Sequence, residues 1–64
     1  MNNDLADRRD HSALSQADLA AEVDVSRQTI NAIERGRYDP SLELAFDLAE
    51  YFDCHVEDIF DPED

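Results

Sequence analysis

Arg27, Gln28 and Asn31 carry side chains that can read nucleic-acid bases. An arginine fork pairs bidentately with guanine N7 and O6, a carboxamide pairs with adenine, and a small apolar residue such as Ala32 can touch a thymine methyl. Spacing decides whether these groups act together. Plotted from Arg27 at about 100° per residue, the segment from Ser26 to Arg35 places Thr29, Ile30 and Ile33 at roughly 200° to 300°. Arg27, Gln28, Asn31, Ala32 and Arg35 fall at roughly 0° to 140°. The first arc is expected to face a core and the second to face outward.

Charge singles out the same segment. Residues 27 to 37 hold three arginines (Arg27, Arg35 and Arg37) and one acid, Glu34, for a local sum of +2. The whole chain of 64 residues has 17 Asp plus Glu against 5 Arg and no Lys, a formal net charge of −12. From Tyr38 to Asp64 there are ten acids and no base. A phosphate backbone is therefore attracted to one face and repelled by the others, which orients the approach.

The elements that must position this arc read as helices throughout, since apolar residues recur at i, i+3 and i+4 and no useful strand alternation occurs. A first helix is expected from about Asn3 to Asp10, with Leu5 and Ala6 as its apolar contributors. Ser15, followed three residues later by Asp18, starts a second helix from Gln16 to Val23 that puts Leu19, Ala20 and Val23 on one face. Ser26 caps a third only three residues after Val23, so a tight corner joins the two. Ser41, after Pro40, starts the longest helix, Leu42 to Phe52, with Leu44, Ala45, Leu48, Ala49 and Phe52 as its stripe. Val56, Ile59 and Phe60 form a last short turn before Asp61-Pro62-Glu63-Asp64. The fold class is all-α, a single domain over residues 1–64 with five helices and a helix-turn-helix at helices 2 and 3.

Composition narrows the function classes further. The 42% hydrophobic content suits a small folded core rather than an acidic disordered tail. One cysteine, Cys54, cannot form an internal disulfide, and His11 and His55 are too scattered to complete a metal site with it, so no metal and no cofactor are expected. No Ser, His and Asp constellation and no phosphate-cradling Gly loop is present, so no catalytic residues are assigned and an enzyme is not expected. The apolar runs are too short to span a membrane, and Met1-Asn2-Asn3-Asp4 lacks the basic start of a signal peptide, which points to the cytoplasm.

The stretches Leu14-Ser15-Gln16-Ala17-Asp18-Leu19-Ala20, Val25-Ser26-Arg27-Gln28-Thr29-Ile30-Asn31-Ala32-Ile33-Glu34-Arg35-Gly36 and Tyr38-Asp39-Pro40-Ser41-Leu42 resemble the Xre family. These are helix-turn-helix regulators of the phage repressor and Cro type. The likeness continues to Val56-Glu57-Asp58-Ile59-Phe60, covers nearly the whole chain, and is nearest to the short single-domain members. It implies a compact five-helix, lambda-repressor-like domain that binds double-stranded DNA as a homodimer on a pseudopalindromic operator and regulates transcription; repression rather than activation is expected because no sensor or activation domain is read in the sequence. Residue by residue, it implies base reading by Arg27, Gln28 and Asn31, and a phosphate anchor at Gln16 that also braces the recognition helix. Further phosphate contacts fall on Ser26, Thr29, Arg35, Arg37 and Tyr38. A structural ion pair falls on Arg9 and Glu34.

Departures from the family pattern are Asp24 and Ala13, where glycine is common, and Arg8, where short relatives carry an apolar residue. Tyr51, Phe52, Val56, Ile59 and Phe60 exceed what so small a monomer easily hides, and Tyr51, Val56, Ile59 and Phe60 are assigned to a dimer interface. The acidic, lysine-free composition resembles proteins of salt-accumulating, halophilic microbes, in which high salt screens repulsion from DNA. The alternative reading is a protein-interaction module, such as an antitoxin-like partner.

Overall fold

Three serines start three helices. In the computed structural model, which describes residues 1–62, Ser15 Oγ accepts from the Asp18 N–H at 2.9 Å, Ser26 Oγ from Thr29 at 3.1 Å and Ser41 Oγ from Leu44 at 3.1 Å. Each bond satisfies an amide that the first helical turn leaves without a partner. At Ser15 the cap is reciprocal, because Asp18 Oδ2 accepts from the Ser15 N–H at 3.1 Å. That backbone bond, with the Ser15 hydroxyl, holds the Asp18 carboxyl below the usual carboxylate range.

The chain order is β1 (Asn2–Asn3), α1 (Leu5–His11), α2 (Gln16–Glu22), α3 (Arg27–Glu34), α4 (Leu42–Tyr51), α5 (Val56–Ile59) and β2 (Phe60–Asp61). All five expected helices form. The first begins at Leu5 rather than Asn3, because Asn2 and Asn3 pair antiparallel with Asp61 and Phe60. A two-residue ladder of this kind leaves no alternation for sequence to reveal. Glu63 and Asp64, the end of the expected acidic close, lie outside the described residues.

α1 to α4 end alike. The residue after each C-cap has positive φ: Ala13 at 56°, Asp24 at 59°, Gly36 at 73° and Asp53 at 55°. Its N–H and the next one bond back into the last turn: Ala13 to Asp10 O and Leu14 to Arg9 O, Asp24 to Ala21 O and Val25 to Ala20 O. The same pair recurs as Gly36 to Ile33 O with Arg37 to Ala32 O, and Asp53 to Glu50 O with Cys54 to Ala49 O. This double closure satisfies helix-end carbonyls and turns the chain sharply. It makes possible the abrupt corner between α2 and α3, where Asp24 occupies the left-handed position.

The core collects Leu5 from α1, Leu19 and Ala20 from α2, Ile30 and Ile33 from α3, the Leu44, Ala45, Leu48 and Ala49 face of α4, and Ile59 with Phe60. Leu14, Val25 and Cys54, each just past a left-handed turn, pack onto its edge. Ile59 and Phe60 are 2% and 5% exposed, which corrects their assignment to a dimer interface. Both join the core cluster that holds Leu5, and Phe60 pairs with Asn3 in the β1–β2 ladder, so apolar content that looked excessive is in part absorbed by the monomer. Val56 is half-buried against the same core. Tyr51 stays partly exposed, but it stacks edge-on against Phe52 at 5.1 Å and lies about 140° round α4 from Phe46. Of the four residues assigned to the interface, two are buried in the core, one is half-buried and only Tyr51 is exposed.

Candidate nucleic-acid interface

α3 is anchored by Ile30 and Ile33, which are 0% and 1% exposed, so its opposite side faces out. Arg27 and Gln28 are exposed and Asn31 is half-buried. These three and Gln16, from the start of α2, line one shallow depression of about 210 Å³. Two helices thus bring together three candidate base readers and one candidate phosphate anchor.

The remaining candidates sit around this centre. Ser26 and Thr29 lie at the start of α3, where their hydroxyls are 3.0 Å apart and Ser26 also caps the helix. Arg35 is the C-cap of α3, and Arg37 follows the left-handed Gly36. Both are exposed. Tyr38, also exposed, borders a different groove, whose lining includes Thr29 but also Asp24, Glu43 and Asp47. A phosphate there meets three carboxylates, so Tyr38 marks the edge of the cationic strip rather than its middle.

The acid inside the reading helix is neutralised from within. Arg9 Nε donates to Glu34 Oε2 at 2.7 Å and its Nη2 donates to Glu34 Oε1 at 3.2 Å, a bidentate pair between α1 and α3. The two side chains are 15% and 7% exposed. Arg9 also donates from Nη1 to Leu14 O at 2.8 Å, and the Glu34 carboxylate holds its pKa above the ordinary guanidinium value. Gln16 Nε2 donates to Glu34 Oε1 at 2.9 Å. Glu34 is thus the meeting point of α1, α2 and α3, and one Gln16 N–H remains to face the depression. Among the described residues no carboxylate forms an ion pair with Arg27, Arg35 or Arg37. The local positive charge stays available to a ligand.

Arg8, at a position that departs from the family pattern, is half-buried and fixed locally. Its Nε donates to Asp4 Oδ1 at 3.0 Å and its Nη2 to Asp58 O at 3.3 Å. It ties the start of α1 to α5 and takes no part in the strip. Reading the sequence missed Asn3, whose side chain reaches the far end of α3: Asn3 Nδ2 donates to Ile33 O at 2.8 Å. A short polar residue in a two-residue strand gives no periodic signal, so nothing local marked it.

Comparison with known proteins places this geometry among relatives. Residues 5–59 match the helix-turn-helix family. An uncharacterized HTH-type transcriptional regulator of Methanocaldococcus jannaschii is 55% identical over 64 residues, covering 100% of this chain and 97% of that protein. One from Methanothermobacter thermautotrophicus is 47% identical over 88% of this chain and 83% of its own length. The uncharacterized HTH-type transcriptional regulator YgzD of Bacillus subtilis is 42% identical over 94% of this chain and 91% of its own.

Proposed function

Starting from the helix-turn-helix family of DNA-binding transcription regulators, to which this chain belongs, we propose that it is a cytoplasmic, homodimeric repressor. In this reading two copies place α3 in successive major grooves of a pseudopalindromic operator, about 34 Å apart, and block a promoter by occupying it. Arg27, Gln28 and Asn31 read bases. Gln16, Ser26, Thr29, Arg35 and Arg37 hold phosphates, and Tyr38 flanks them. The observation that carries the reading is the outward Arg27, Gln28 and Asn31 beside Gln16, on a body that is otherwise strongly anionic.

With Ile59 and Phe60 in the core, the dimer seam moves to the exposed apolar side chains of α4. Leu42 and Phe46 are 72% and 58% exposed, one helical turn apart, and Phe46 borders a groove shared with Cys54 and Val56. Phe46→Glu is expected to leave a folded monomer in sedimentation and to abolish tight operator binding. A dimer that persists in this variant rules the seam out.

The acid excess supports a halophilic setting, in which about 1 M salt shortens the screening length to about 3 Å and suppresses repulsion between this body and DNA. Selection of bound duplexes from a random library in molar KCl tests the whole reading. The expected result is a palindrome whose half-site centres lie about one helical turn apart. Recovery of unrelated sequences overturns sequence-specific regulation. The same exposed Leu42 and Phe46 also support the second reading, a protein-interaction module. In that case the Arg27→Ala, Gln28→Ala double variant keeps its partner, whereas a DNA regulator loses its operator.

A further inference from the structure

We propose that Asn3 is a positioning residue for the phosphate-contacting loop, acting by holding the end of the recognition helix from outside it; this rests on the DNA-binding reading above. Its carboxamide makes three bonds, two of which join opposite helix ends. Nδ2 donates to Ile33 O at 2.8 Å, and Oδ1 accepts from the Leu5 N–H at 3.1 Å. The second Nδ2 proton goes to Met1 O at 3.2 Å. The side chain is thus pinned at both its atoms, and its own backbone is held by the pairing with Phe60.

What it holds is a hinge point for the cationic strip. Ile33 O already accepts from the Gly36 N–H at 2.9 Å, and Arg37 N–H bonds to Ala32 O at 2.9 Å. These bonds close the left-handed turn that follows the C-cap Arg35 and carries Arg37 past the end of α3. At the equivalent turns after α1, α2 and α4 the left-handed residue is Ala13, Asp24 or Asp53, and only here is it glycine. A Cβ on Gly36 would sit 3.4 Å from Met1 O, the nearest heavy atom around it. The segment preceding α1 is packed against this one turn. Asn3 joins that packing to the helix at the Ile33 carbonyl, the same carbonyl that closes the Gly36 turn, and so helps to fix the direction in which Arg37 leaves α3.

Asn3→Asp separates accepting from donating, since a carboxylate still accepts from the Leu5 N–H but donates to neither Ile33 O nor Met1 O. Its affinity for operator and for random duplex, measured in parallel with thermal unfolding, is expected to fall equally on both DNAs, by about tenfold, with a shallower salt dependence. In an Arg37→Ala background the same change should move affinity less than about twofold, because the contact it serves is already gone, while the thermal loss is unchanged. Amide exchange should quicken at Gly36 and Arg37 and not at Val25 or Cys54, which close comparable turns elsewhere. Should a carboxylate facing the Ile33 carbonyl prevent folding, Asn3→Ser provides the test, with a hydroxyl too short to reach that carbonyl. Equal affinity losses in both backgrounds, or uniform exchange, overturn the role of Asn3. A wild-type chain that binds neither duplex overturns the DNA reading itself, and the two failures are told apart by that control.

Discussion

Arg27 and Arg37 are both exposed cations, yet their places on the chain give them different tasks. Arg27 opens α3 and lines the depression with Gln16, Gln28 and Asn31, where the proposed function has it read a base through a bidentate contact. Arg37 lies beyond the helix, where the same proposal gives it a phosphate. Arg27→Ala is expected to cost about 1 to 3 kcal/mol on the operator and to relax sequence preference at one base pair, whereas Arg37→Ala weakens all sequences alike and lowers the salt slope by about 1. Titrations of operator and random duplex at several salt concentrations separate the two. Equal losses for both variants on both DNAs would falsify these roles. Glu34 works differently, because it accepts two bonds from Arg9 and one from Gln16. Glu34→Ala removes two of the bonds of a mostly buried guanidinium and leaves it Leu14 O and Asp10, so denaturant unfolding should show a loss of about 1 to 3 kcal/mol. A variant as stable as the wild type would show that the Arg9–Glu34 pair contributes nothing net.

At the scale of elements, the serine caps made three helix starts legible, because a hydroxyl three residues before an orphan amide is a local pattern. The helix ends were harder. Asp24 and Ala13 stood out only because glycine is common there, and Asp53 gave no sign at all, although all three adopt the same left-handed conformation. A side chain with Cβ is disfavoured in that region, Asp less than Ala because its carboxylate can bond locally. Ala13→Gly is therefore expected to stabilise the fold by up to about 1 kcal/mol, seen as a rise of several degrees in melting temperature. No change or a fall in that temperature would show that the turn after α1 carries no conformational penalty. The strand pair was illegible for a different reason: Asn2 and Asn3 meet Phe60 and Asp61 across nearly the whole sequence, and no periodicity records that.

For the whole molecule, the outward arc of α3 could be read from angle and charge alone, since Ile30 and Ile33 fix its buried side and the surrounding acids define what remains. The family likeness added partners for Arg9 and Glu34 that spacing could not supply. The burial of Ile59 and Phe60 could not be read, because counting large apolar residues near the C-terminus says nothing about which of them the core and a terminal strand pair will take in. A body with a net charge of −12 repels itself as well as DNA, and screening relieves both. Circular dichroism at low and molar KCl is expected to show helix lost on dilution and regained with salt. A spectrum indifferent to salt would remove the halophilic reading while leaving the DNA-binding face intact.

The pairing of Asn2 with Asp61 also bears on the order of events during folding. The corner that joins α2 to α3 is closed by bonds between residues near in sequence, whereas α3 meets Arg9 and Asn3 only across longer loops, and local contacts form quickly while distant ones wait for loop closure. The clasp that seats Asn3 on Ile33 needs the final strand. A released chain that ends at Ile59 should accordingly form α3 but exchange its Gly36 amide faster than the full chain, and equal protection at Gly36 in the two would refute this order. The setting of the turn that carries Arg37 is, on this view, the last step of folding.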